Sequence, residues 1–431
     1  MGMRRRSFLV GAAGAAATPL VTGAAPAVAA PSGTAASPHH RVLPGADVMA
    51  AENWADLAGQ KVGVITNPTG ITTALTSIVD QMHASGSVDV VAVFGPEHGF
   101  RGTGQAGDGE GDHVDPRTGI MVYDAYGADA TKFRELYRKS GVETVVFDIQ
   151  DVGARFYTYI WTMYEAMAGA VGSDIRFVVF DRPNPVGGHV RGPMLVDGFQ
   201  SGVGKQPILQ QHGMTVGELA RFFNGELLPE QADGQVGQLD VVQVRGWRRS
   251  MLFADTGLPW TLPSPNMPTA DTALLYPGTC LFEATNLSEG RGTTRPFELI
   301  GAPYLDHRWA HALEELDLPG VRFREAYFVP TFSKHAGEVC AGVQVHIVDP
   351  QRVEAIEVAT HMIVTAATLY DEFDWRAGDD PHGRWIDLLT GSDRFRTMLA
   401  AGASAEDIVA AWHDEQAAFD RQRRPYLLYR G

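Results

Sequence analysis

Cysteine is scarce in this chain: Cys280 and Cys340 are the only two among 431 residues. Two thiols cannot complete a four-ligand structural zinc site alone. In an exported protein they either form one disulfide or stay as two buried thiols, the second being favoured. Positive charge is also short, with 35 Lys and Arg against 51 Asp and Glu and a net charge of −16. Such a surface argues against nucleic acid and anionic membrane as partners. It leaves room for an acidic substrate held by a local arginine cluster. No apolar run is long enough for a stable membrane span. No G-x-G-x-x-G follows the first expected strand and no P-loop lysine motif occurs, so no nucleotide cofactor is expected. H-E-x-x-H and G-x-S-x-G are missing too, and no metal is expected. Asp108, Glu110, Asp112 and Asp115 lack the spacing of a calcium loop and read as a solvated turn.

What is present begins with an address. Arg4, Arg5 and Arg6 precede Phe8, Leu9 and a short Ala/Gly-rich run, and Ala27-Val28-Ala29 offers a small-x-small cleavage site. Residues 1–29 therefore read as a signal peptide of the twin-arginine type, with an ordinary Sec signal as the alternative. No Cys follows the run, so a lipid anchor is not expected. The expectation is an exported protein, soluble in the extracellular, cell-wall or periplasmic space.

An apolar content of 45% with 20% charged residues is ordinary for a globular chain. Some 400 residues exceed what one core organises, so two domains are expected, 41–265 and 266–431. In the first, β-branched runs alternate with irregular loops. Lys61–Thr66 leads into Asn67-Pro68-Thr69-Gly70, Val88–Phe94 into Gly95-Pro96-Glu97-His98-Gly99, Glu143–Asp148 into Gln150-Asp151, and Ile175–Asp181 into Arg182-Pro183-Asn184. Helix-like segments fall at about 72–85, 129–140 and 157–171, then near 215–225, with a strand near 239–245. That alternation predicts an α/β fold, a Rossmann-like doubly wound parallel sheet whose strand carboxyl ends carry the motif loops. Pro259–Pro268 is too proline-rich for helix or central strand and reads as a crossing. Beyond it, a strand at 340–348 and helices at 351–372 and 404–420 suggest a second, α+β domain.

Three loops concentrate polar chemistry. Glu97 sits with His98 and Arg101 among glycines and a proline, where a rim carboxyl is desolvated enough to act as a general acid, unless it simply pairs with one of those cations. Gln150, Asp151, Arg155, Tyr157 and Tyr159 supply polar contacts and stacking faces of the kind that hold sugars, although the tyrosines could equally be core. Asn286, Glu289 and Arg291 form a third group, with Asn266 in the crossing as a hydrogen-bonding neighbour. Carboxylates, arginines, tyrosines and asparagines together suit glycoside hydrolysis without a metal.

These segments resemble one known family, the exo-acting β-N-acetylmuramidases of the NamZ type, a group of glycoside hydrolases. The likeness is carried by Gly95–Gly102, Gln150–Tyr159, Asp181–Gly188, His212–Leu219, Pro263–Thr269, Tyr276–Glu298 and Lys334–Gly342. The resemblance implies a Rossmann-like domain joined to a second domain, with the active site in the cleft between them. It implies release of N-acetylmuramic acid from non-reducing ends of peptidoglycan fragments, with Glu97 as the proposed catalytic glutamate. The second carboxylate is then Asp151 or Glu289. A separation of about 5 Å from Glu97 would indicate retention and about 6.5–9.5 Å inversion. A lactyl carboxylate on the substrate calls for a cation, for which Arg101, Arg155 and Arg291 are candidates. Asn266 or Gln150 suits an acetamido group. The competing readings are a non-catalytic wall-sugar binding protein and an exported Rossmann-type oxidoreductase.

Overall fold

The computed structural model describes residues 42–105, 107–376 and 385–431. The leader expected over 1–29 lies outside the described residues. In chain order come α1 (Gly45–Ala51), β1 (Lys61–Thr66), α2 (Ile78–Ser85), β2 (Asp89–Gly95), β3 (His113–Val114), β4 (Met121–Asp124), α3 (Ala130–Ser140), β5 (Thr144–Asp148), α4 (Tyr159–Ala170) and β6 (Arg176–Phe180). Next are β7 (Arg191–Met194), β8 (Leu209–Gln211), α5 (Val216–Phe222), α6 (Leu228–Gln231) and β9 (Gln238–Val242).

Seven strands form one sheet in the order β3-β4-β2-β1-β5-β6-β9. All of its pairs are parallel except β3 with β4. The β-branched runs make this possible, because a sheet with helices on both faces needs apolar side chains in both directions. Val62, Val64, Val146 and Val178 pack with Ile78, Val79 and Met82 of α2 on one face. Ile65, Phe94, Val145, Phe147 and Phe177 pack with Phe133, Leu136 and Tyr137 of α3 on the other. The helix starts are capped as their sequence suggests. Asp129 accepts the Lys132 N–H ahead of α3, and Thr215 with Glu218 forms a capping box on α5.

After the proline-rich crossing come α7 (Ala270–Thr279), β10 (Leu299–Ala302), α8 (His307–Glu315), β11 (Val321–Phe328), β12 (Cys340–Ile347) and α9 (Ala355–Leu369). The three strands form an antiparallel sheet in the order β10-β12-β11. Short helices at Trp385–Thr390, Arg394–Ala400, Ala405–Ala410 and His413–Arg423 complete the chain. Its last residues return to the large sheet, where the Tyr429 hydroxyl donates to Asp181 and receives the Val244 N–H at 2.9 Å. Both cysteines are free and buried.

Some expected elements shift. The helix expected over 72–85 begins only at Ile78, because an Ile71–Ser77 bridge and a left-handed Leu75 (φ 59°) shape a loop first. Asp47 pins that loop through the Thr73 N–H at 2.9 Å. The stretch 404–420 divides into two helices around the buried Trp412. Among the described residues no helix is long and apolar enough to cross a membrane.

Candidate active site

The carboxyl end of β2 runs into Pro96-Glu97-His98. His98 adopts a left-handed backbone (φ 70°), an uncommon conformation for a residue with a side chain. The surrounding loop holds it there. The His98 N–H donates to Asp108 O at 3.0 Å, and the His98 carbonyl accepts from Gly104 N at 3.0 Å. Its ring Nδ1 lies 3.2 and 3.0 Å from the carbonyls of Gly104 and Gln105, so that nitrogen carries the proton. His98 thus clamps the loop rather than facing a ligand with both ring nitrogens. The clamp presents Glu97, whose Oε1 accepts the Gly107 N–H at 2.9 Å and Oε2 the Thr158 hydroxyl at 3.2 Å.

Beside it, β5 ends at Asp148, which is sealed into a buried pair with Arg182 (2.9 Å). Three residues further on, Asp151 is 4% exposed. Its Oδ2 accepts the Gly153 N–H at 2.7 Å and stands 3.2 Å from His212 Nε2. Its Oδ1 is buried without a partner. A buried carboxylate oxygen left bare costs free energy unless a ligand meets it. Tyr157 lies next, with its buried hydroxyl facing Ser264 but making no well-formed hydrogen bond. Burial pushes the Tyr157 phenol well up, and the charges of Asp151 and Glu97 add to the shift. Tyr159 packs edge-on against Tyr157 (5.4 Å) and donates to the Pro263 carbonyl at 2.6 Å, which brings the crossing segment onto the site.

Glu289 belongs to another cluster. It is flanked by Arg291 (3.4 Å) and Lys334 (2.8 Å), and Arg291 also holds Glu283 at 2.7 Å. Tyr276 connects the groups, meeting Tyr157 at 5.6 Å and Phe297 at 4.8 Å, while Arg291 covers the Phe297 ring. Glu97 and Glu289 therefore lie at opposite ends of a row of tyrosines.

The remaining expected residues separate on their partners. Arg155 is not at the site: its side chain is fully buried and donates to the carbonyls of Pro193, Ile208 and Leu389. Burial lowers its pKa to about 9. Arg101 is occupied by Asp80 and Asp115, both at 2.9 Å, and lines a different depression from the one at Glu97. Asn286 spends both amide ends on structure, donating to Glu372 O and accepting from the Tyr304 hydroxyl. Gln150 donates to the carbonyls of Asp151 and Pro183. Asn266 is buried, and among the described residues its side-chain amide makes no hydrogen bond. No three His, Cys, Asp or Glu side chains converge as metal ligands among the described residues.

Residue reading passed over part of the site. A hollow of about 420 Å³ opens at Glu97 and is lined by Tyr126, Thr158, Trp161, Thr162 and Lys205 among others. Among the described residues, all of its walls come from 97–205. The part after residue 265 reaches the neighbourhood through Tyr276, which meets Tyr157. Tyr126 followed by a glycine in a turn was a readable signal for an exposed ring. Lys205, a lone lysine in a polar loop, carried none. His212 stood in a segment of family likeness, but only the fold shows that it faces Asp151.

A positioned carboxylate, Glu97, at a sugar-sized hollow beyond the carboxyl edge of a parallel sheet suits the cleavage of glycosidic bonds, and fold and site together define a glycoside hydrolase. The model described as exo-β-N-acetylmuramidase NamZ, N-terminal, matches residues 62–271, and its C-terminal counterpart matches 274–429. The peptidoglycan β-N-acetylmuramidase NamZ of Bacillus subtilis (strain 168) is 44% identical over 392 residues, 90% of this chain and 92% of that protein. Two crystal structures of DUF1343 family proteins from Bacteroides fragilis NCTC 9343 superpose with TM-scores of 0.80 and 0.71. They are 34% and 30% identical, and cover 91% and 90% of this chain and 100% and 99% of their own. The chain belongs to the exo-β-N-acetylmuramidase NamZ family.

Proposed function

We propose that this chain removes N-acetylmuramic acid from the non-reducing ends of peptidoglycan fragments, with Glu97 as general acid and base. One observation carries the assignment of Glu97: its carboxylate, fixed by Gly107 and Thr158, stands at the hollow lined by Tyr126 and Trp161. Glu97 would protonate the glycosidic oxygen as the bond breaks, and Asp151 is the better second carboxylate. Its Oδ1 has no partner among the described residues, whereas Glu289 is already neutralised by Arg291 and Lys334. The reading includes a domain division near residue 265 and export through the leader over 1–29. No observation favours a sugar-binding protein without turnover or an oxidoreductase.

The test is release of the chromophore from a para-nitrophenyl β-N-acetylmuramic acid glycoside. Wild-type protein is expected to turn it over, and Glu97→Gln to lose about 10²- to 10⁴-fold in kcat. Unchanged turnover in the variant would remove Glu97 from the chemistry. Accumulation of tagged full-length protein in the cytoplasm alone would remove export.

A further inference from the structure

We infer that Lys205 is the specificity-determining cation of this enzyme and receives the lactyl carboxylate that distinguishes muramic acid from glucosamine; this rests on the proposed substrate. A muramic acid residue bound with its scissile bond at Glu97 carries its lactyl carboxylate elsewhere on the same ring, within the same hollow. Of the described residues lining that hollow, Lys205 is the one cation. The arginines that sequence reading offered are committed elsewhere. Arg101 is shared by Asp80 and Asp115, Arg155 is enclosed by backbone carbonyls, and Arg291 is held by Glu283 and Glu289.

Lys205 is set up for an anion. Its ammonium donates to Glu165 Oε1 at 2.5 Å, and among the described residues it has no other partner. Two of its three N–H donors are thus unspent. The tether is itself partly neutralised, because Glu165 Oε2 accepts the Ala130 N–H at the start of α3 (2.9 Å). Glu165 therefore aims the ammonium without saturating it. The side chain is 32% exposed, against 15% for Glu165, so the cation rather than its partner meets the hollow. Tyr126, 43% exposed and lining the same hollow, offers a flat face for the apolar side of a pyranose. The charge of Glu97 raises the Tyr126 phenol after burial, which places ring and catalytic carboxylate within electrostatic reach.

The experiment compares N-acetylmuramic acid with its lactyl methylamide, which keeps the ring and removes the charge. Both are titrated calorimetrically into wild-type protein, Lys205→Met and Lys205→Arg, and both are assayed as competitive inhibitors of chromogenic hydrolysis. The expected result is about a ten- to hundredfold weaker affinity of Lys205→Met for the acid, the scale of losing a charged hydrogen-bond partner. Affinity for the amide should stay unchanged, and Lys205→Arg should recover most of the loss. KM for the glycoside should rise in Lys205→Met with kcat nearly constant. Equal weakening toward acid and amide, or none toward either, overturns the inference. Wild-type protein that binds the acid over the amide but hydrolyses no glycoside would overturn the proposed reaction while leaving Lys205 its role.

Discussion

His212 Nε2 stands 3.2 Å from Asp151 Oδ2, with both side chains almost wholly buried. The Met214 N–H donates to His212 Nδ1 at 3.2 Å, which leaves the proton of the neutral ring on Nε2, close to the carboxylate but without a well-formed hydrogen bond to it. His212 Nε2 and the second oxygen of Asp151 are thus both buried without a hydrogen-bond partner among the described residues, and the proposed role of Asp151 gives the two residues different expected effects. Asp151→Asn is expected to lower kcat by about 10²-fold or more, as loss of a positioned proton-transfer or nucleophilic group does. His212→Ala should cost less, about ten- to a hundredfold, the effect typical of removing an orienting partner. Chromogenic kinetics alongside circular dichroism checks both. Equal and small effects from the two variants would make the pair structural.

Glu289 should behave differently. Removing its charge leaves Arg291 and Lys334 facing each other without the carboxylate between them. Breaking a buried ionic cluster on one side costs about 3–5 kcal/mol. Glu289→Gln is therefore expected to lower the midpoint of urea unfolding strongly while the folded fraction keeps a kcat near wild type. A hundredfold fall in kcat without loss of stability would return Glu289 to the catalytic set.

Arg155 makes a third contrast. Its guanidinium joins the β7 and β8 segments to the helix Trp385–Thr390 through three backbone carbonyls. Arg155→Met leaves those carbonyls buried and bare, at about 1–3 kcal/mol for each group stranded. Thermal melting should fall by many degrees, and KM measured well below the new midpoint should not change.

Much of the architecture was legible, for a specific reason. A strand buried on both faces must be apolar at consecutive positions, and Lys61–Thr66 and Thr144–Asp148 are, so the parallel sheet could be read directly. The β11 strand Val321–Phe328 escaped notice because only one of its faces is covered and arginines occupy the other. Helix α8 was passed over although Asp306 caps it and its apolar residues recur at helical spacing. Glu97 stands out as a candidate in the sequence because a charge wedged among Gly and Pro has few bland explanations. Arg155 misled because sequence displays a charge and hides the carbonyls that absorb it. Lys205 was invisible for the converse reason: its meaning lies in Glu165 and Glu97, which are distant in the chain and adjacent only after folding.

Asp181 gives the last expectation, a dependence of stability on pH. It follows β6, is fully buried, and has a pKa raised to about 7, chiefly by desolvation. Hydrogen bonds from Tyr429, Thr215 and Gly217 oppose that shift, while the Glu218 charge adds to it. An unfolded aspartate titrates near 3.9. Between about pH 4 and pH 7 the folded state thus holds a proton that the unfolded state has released. The native state binds more protons there, so this group's contribution is complete below about pH 4, declines as pH rises, and levels off above about 7. Where the difference is a whole proton, the slope is about 1.4 kcal/mol per pH unit. Urea unfolding of Asp181→Asn should show a flatter profile than wild type across that window. In Tyr429→Phe, loss of the donor to the charged form should carry the decline above pH 7. Parallel profiles for wild type and Asp181→Asn would mean that Asp181 is ionised in the folded protein and that its partners outweigh its burial.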